Sequence, residues 1–116
     1  MNRTIEFYRL SDNSCPVESF LDSLDEKVAQ KVLAVFKYIE EMDLVPAKFF
    51  KKLSGTDILE CRIMWKSDIY RVLGFYHKNN FVILTNGFQK KSQKTPSGEI
   101  DRTVFYMNDY KRRSKQ

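Results

Sequence analysis

Between residues 58 and 88 the chain carries three apolar runs, "ILECRIM", "IYRVLGFYH" and "FVILTNGF", separated by short polar segments. The first alternates, with Leu59, Cys61 and Ile63 apolar and Glu60 and Arg62 charged, so one of its faces is buried and the other presents a carboxylate and a guanidinium. The second and third are nearly continuous in apolar residues, and strands of that kind are central in a sheet and covered on both faces. Between them, His77, Lys78, Asn79 and Asn80 read as a hairpin turn. The chain must therefore supply two covering layers.

The first layer is legible upstream. "RTIEFYRL" alternates Ile5 and Phe7 with Thr4, Glu6 and Tyr8 and reads as an opening strand. Pro16, preceded by Ser14 and Cys15, suits the first position of a short helix with Val17, Phe20, Leu21 and Leu24 at helical spacing. Asp25 and Glu26 open a longer helix whose stripe is Val28, Val32, Val35, Ile39 and Met42, flanked by Ala29, Leu33 and Phe36. Pro46 ends the pattern, and "AKFFKKLSGTD" reads as a basic loop closing on Gly55. The second layer is a C-terminal helix with Thr95 as N-cap and Pro96 at its first position. Its inward residues are Ile100, Val104, Met107 and Tyr110. The order is βααβββα, an α+β fold built on a small antiparallel-rich sheet with an N-terminal helical hairpin and a C-terminal helix. With 116 residues, it is a single domain spanning 1–116.

No apolar run reaches the roughly 20 residues of a membrane helix, and the N-terminus has no signal-peptide core, so a cytoplasmic protein with no membrane partner is expected. Cys15 and Cys61 have no metal-ligand spacing and read as reduced and structural. The net charge of +5 is unevenly placed: residues 1–85 hold twelve basic and twelve acidic residues, whereas residues 86–116 hold eight and three. An excess confined to the last quarter points to a polyanionic partner, nucleic acid before membrane.

Arg71 interrupts a run that would otherwise be buried and aliphatic. A guanidinium there needs a carboxylate partner, for which Glu60 is the candidate, or a cleft that admits an anion. Lys90, Lys91 and Lys94 follow the adjacent strand, and antiparallel pairing brings them towards the same end of the sheet. Phe88, beside these lysines, suits either the strand core or stacking on an unpaired base. Tyr70, Tyr76, Tyr106 and Tyr110 are candidate phenols near such a cleft. Familiar catalytic patterns are missing: His77 is the sole histidine, and no GxxxxGK[ST], HExxH or CxxC occurs. The carboxylates are scattered, without the clustering a metal-dependent nuclease needs. An enzyme built from these residues would rely on Arg, Lys and Tyr, which suffices for RNA because its own 2′-hydroxyl can attack the neighbouring phosphate.

"CPVESFLDSL", "ILECRI", "YRVLGFY" and "NGFQKKSQKTPSGEIDR", in this order and followed by "NDY", resemble the phage-derived, HigB-like branch of the RelE/ParE toxin superfamily. The resemblance covers nearly the whole chain, and its most distinctive part is the Phe-x-Lys-Lys-x-x-Lys-Thr-Pro segment. It implies a RelE-like fold and a type II toxin–antitoxin setting with a helix-turn-helix antitoxin, a heterotetramer being one possible assembly. The implied activity is metal-independent, cofactor-free endoribonucleolytic cleavage of mRNA on the ribosome, which inhibits translation. Carried onto the matching positions, the resemblance makes Arg71, Lys90 and Lys91 the candidate catalytic residues and Arg62, Phe88 and Lys94 the candidate RNA contacts, with no metal ligands. Two other readings stand beside it: a ParE-like gyrase inhibitor without nuclease activity, and a non-catalytic nucleic-acid-binding module. Gly74, where a larger strand residue is usual, marks a bulge or a close backbone approach.

Overall fold

A computed structural model describes residues 2–91 and 94–114. Lys115, counted above in the basic tail, lies outside them. Among the described residues there are five strands and three helices: β1 (Thr4–Phe7), α1 (Pro16–Asp22), α2 (Glu26–Glu41), β2 (Phe50–Lys52), β3 (Leu59–Trp65), β4 (Asp68–His77), β5 (Phe81–Lys90) and α3 (Ser97–Ser114). They form one sheet in the order β1-β5-β4-β3-β2, in which only the β1–β5 pairing is parallel. The α+β fold expected from the sequence is the one observed. The two near-continuous apolar runs, β4 and β5, are interior strands, as burial on both faces requires.

One face of the sheet packs on the helical hairpin. Val17 of α1 and Val28, Val32, Val35, Phe36 and Ile39 of α2 are buried against Cys61, Ile63, Tyr70, Val72, Val82 and Leu84. Met42 and Leu33, assigned above to the stripe or its border, are 43% and 48% exposed: α2 ends at Glu41, and its buried arc is narrower than the sequence pattern suggests. The opposite face receives α3, where Tyr106, Met107 and Tyr110 pack on Tyr8, Phe75 and Ile83. Tyr8 stacks on Tyr106 with 4.8 Å between ring centroids, and its hydroxyl donates to Asp109 Oδ2 at 2.5 Å.

Three details differ from the sequence reading. The basic loop contains β2, whose three residues pair with Leu59–Cys61; so short a strand arises from its neighbour rather than from its own propensity. Helix α3 begins at Ser97 rather than with Thr95 as cap, because the Thr95 hydroxyl is drawn to the sheet instead. Its most buried residue is Thr103, while Val104 is 37% exposed, a rotation imposed by hydrogen bonds between Thr103, Glu99 and Asn86 of β5. Gly74 behaves as expected: the β4–β5 register shifts beside it, and a Cβ there would stand 2.2 Å from the Ile83 carbonyl oxygen.

The edge strand β1 is protected. Its outward-facing Ile5 N–H donates to the Glu40 carboxylate at 2.8 Å and that of Arg3 to the Glu40 carbonyl at 3.2 Å, so α2 occupies part of the edge on which another strand would pair.

Candidate functional site

Because side chains alternate along a strand, the register decides which residues share the α3 face. Arg62 of β3 lies opposite Arg71 of β4, and Arg71 lies opposite Phe88 of β5, so these three form one row across the sheet. The next row is Met64, Ile69 and Lys90; the row on the other side is Lys51, Glu60, Leu73 and Asn86. Helix α3 covers Phe75 and Ile83 and stops short of the Arg62 and Met64 rows. This half of the face is left open: Arg62, Ile69, Phe88 and Lys90 are half-buried and Met64 is 45% exposed.

Two arginines directly opposite each other on one face repel. The compensation is Glu60, 1% exposed, whose Oε2 accepts from Arg71 Nη1 at 2.5 Å. The Thr95 hydroxyl completes a triangle, donating to Glu60 Oε2 at 3.0 Å and accepting from Arg71 Nη1 at 3.1 Å. It thereby ties the segment before α3 to the sheet. A second set of bonds anchors the helix itself: Asn86 Nδ2 donates to Glu99 Oε1 at 3.0 Å, and the Thr103 hydroxyl donates to Asn86 Oδ1 at 2.8 Å. Among the described residues Glu60 Oε1, Arg62 Nε and Arg71 Nε are buried without a hydrogen-bond partner. Such a group costs on the order of 1–3 kcal/mol, and here these costs fall within two adjacent rows around one cation cluster.

The electrostatics follow from the packing. Burial first, and then the charges of Arg71 and Arg62, hold the Lys90 ammonium below the ordinary lysine range; Glu60 opposes this and Lys51 adds to it. Burial beside the same carboxylate pushes the Cys61 thiol up, so it is an inert residue of the opposite face. Among the described residues no three His, Cys, Asp or Glu side chains come together in a metal-ligand group.

Of the residues singled out from the sequence, Arg62, Arg71, Phe88 and Lys90 are brought together. Lys91 follows the end of β5 and is exposed, and Lys94 is exposed in the bend before α3. The candidate tyrosines are elsewhere: Tyr70 faces Phe20 on the hairpin side, Tyr76 accepts a hydrogen bond from Arg3, and Tyr106 and Tyr110 belong to the α3 core. The sequence reading passed over Met64, Ile69 and Lys51, which only the register places beside the cations, and Asn86 and Thr103, which set the position of α3. Thr95 serves the site through its hydroxyl contacts to Glu60 and Arg71 and not as the α3 cap.

A small α+β domain compatible with a RelE-like fold, with a cation-lined half of its sheet left open by the C-terminal helix, is the class these features define. The chain belongs to the family described as Phage derived protein Gp49-like (DUF891), a RelE-like, toxin-type family, whose model matches residues 19–104. The match includes the whole span from Glu60 to Thr95 that builds the open face. No curated protein matches the chain. Among the described residues no helix is long and apolar enough to cross a membrane.

Proposed function

We propose that the protein is the toxin of a type II toxin–antitoxin pair and a metal-independent endoribonuclease that cleaves mRNA on the ribosome. The observation that carries this reading is the open half of the sheet face, where half-buried Arg62, Phe88 and Lys90 surround the buried Arg71–Glu60 pair. Fixed cations suit a phosphodiester, and an aromatic ring among them suits an unpaired base. Membership of a toxin-type family supports it.

In the proposed reaction the 2′-oxygen of one nucleotide attacks the adjacent phosphorus. The 2′-O–P bond forms as the P–O5′ bond breaks, leaving a 2′,3′-cyclic phosphate and a free 5′-hydroxyl. Lys90 is assigned the proton of the 2′-hydroxyl, since burial and then the charges of Arg71 and Arg62 lower its proton affinity. The proton that O5′ takes up is left to water or to the returned lysine proton. Arg62 and Arg71 stabilise the charge that develops on the phosphoryl oxygens. Arg71 acts from a fixed position, since Glu60 and Thr95 hold its Nη1. Phe88 stacks on a base, and Lys91 and Lys94 contact the backbone phosphates. In the same proposal a helix-turn-helix antitoxin neutralises the toxin by covering this face in the cytoplasm.

The test uses purified protein with end-labelled mRNA on translating ribosomes. Cleavage with cyclic-phosphate ends is expected, falling by about 10²–10⁴-fold in Lys90→Ala if the lysine moves the proton. A folded Lys90→Ala/Lys91→Ala protein that cleaves like the wild type overturns the assignment. Growth arrest with intact mRNA and a DNA-damage response points instead to gyrase.

A further inference from the structure

A cavity of about 410 Å³ lies away from the Arg62 and Lys90 rows, where β4 runs on past the start of β3. β3 begins pairing at Leu59, opposite Gly74, so Phe75, Tyr76 and His77 extend beyond it. The resulting notch at this edge of the sheet is lined by Lys51 and Lys52 of β2, Tyr76 of β4, and Met107 and Lys111 of α3. Phe50 and Phe75 are buried and back the floor, whereas Tyr76 is 41% exposed and offers a ring surface.

The cations here are poorly compensated. Among the described residues Asp57 is the one carboxylate lining the notch, 3.6 Å from Lys52, but with the two side chains 81% and 60% exposed the pair contributes little. Arg3 is committed to the structure: its guanidinium donates to the carbonyls of Ile39 and Met42 and to the Tyr76 hydroxyl. Lys51 and Lys52 remain to face a ligand, together with Lys111, whose ammonium stands over the Phe75 ring at 6.0 Å from its centroid. A purely apolar ligand gives no reason for three ammonium groups, and a bare anion gives none for the ring and the Met107 side chain. A phosphate attached to an aromatic base accounts for both.

The notch also adjoins the proposed catalytic face. Lys51 stands opposite Glu60 in the row next to Arg62, and Phe75 is four residues along β4 from Arg71, about 13 Å in an extended strand. We propose that the notch is a second nucleotide subsite, which holds a base against Tyr76 and a phosphate on Lys51, Lys52 and Lys111, a few nucleotides along the same single-stranded RNA. This inference rests on the RNA reading above and extends it from a cleavage point to a track.

The test is fluorescence anisotropy with a 2′-O-methyl RNA dodecamer, which cannot be cleaved, over a series of salt concentrations. The proteins are the wild type, Lys52→Ser/Lys111→Ser and Tyr76→Ala; both lysines are exposed, and circular dichroism confirms the fold. Each phosphate contact on a single strand contributes about 0.7 to the slope of log affinity against log salt, so the double variant should lose about 1.4. Tyr76→Ala should bind more weakly with little change in slope. Unchanged affinity and slope in both variants, with RNA still bound, overturn the subsite and leave the RNA reading standing. Failure of the wild type to bind RNA at low salt overturns both. Wild type that binds a polyglutamate peptide through these lysines more tightly than RNA overturns the nucleotide assignment in favour of an acidic protein segment.

Discussion

Replacing Glu60 by Gln keeps the side-chain shape and removes one charge, leaving Arg71, 6% exposed, as a buried guanidinium beside Arg62 with no carboxylate. Breaking a buried pair from one side costs about 3–5 kcal/mol, because the remaining charge is uncompensated. A domain of this kind has only about 5–15 kcal/mol of stability, so about a fifth or more of it should vanish. Arg71→Met should be costly for the complementary reason, since Glu60 is 1% exposed and loses its cation. The double variant Glu60→Leu/Arg71→Met buries no charge and should lie within about 1 kcal/mol of the wild type, as isosteric apolar replacements of buried pairs often do. Urea denaturation of the four proteins, with the slopes compared to check two-state behaviour, gives the coupling energy directly. Single losses below about 1 kcal/mol that simply add would refute the reasoning, and with it the idea that Glu60 fixes Arg71.

Other consequences are equally direct. Gly74→Ala should cost about 1–3 kcal/mol or more, because its Cβ meets the Ile83 carbonyl oxygen, a backbone atom that no side-chain rotation can move; the nearest atoms to a Cβ in Gly87→Ala belong to the Phe20 ring, a side chain that can shift, and this change should cost less in the same chemical melts. Tyr8, pushed up to about 12 from 10.0 by burial and by Asp109, ionises later in the folded chain than in the unfolded one. Its contribution is present below pH 10.0 and is lost as pH rises to about 12, so thermal melts of the wild type should decline more steeply over that window than those of Tyr8→Phe. Arg62→Gln removes a charge that lowers the proton affinity of Lys90, so the rising limb of the cleavage pH profile should move to higher pH; a limb that does not move argues against Lys90 as the base.

The parts of the fold legible in the sequence are those with local causes. Pro16 opens α1 and Asp25 precedes α2 because helix starts are set within a few residues, and β4 and β5 declare themselves by composition. Strand β2 and the rotation of α3 depend on partners far along the chain: Leu59–Cys61 for Phe50–Lys52, and Asn86 for Glu99 and Thr103. In the candidate site, Arg71 stood out as a charge within an apolar run, and Lys90 by its setting. Met64, Ile69 and Lys51 carry no such mark, since an exposed methionine or lysine is ordinary until the strand register places it beside a cation cluster.

The central claim is that the open cationic face cuts messenger RNA. Mapping new mRNA 5′ ends within minutes of induction in a bacterial host, for the wild type and for a folded Lys90→Ala protein, tests it most directly. The account predicts new ends within translated messages and a matching fall in translation for the wild type, both lost in the variant. New ends that persist unchanged in Lys90→Ala, or arrested growth with messages intact, would contradict it.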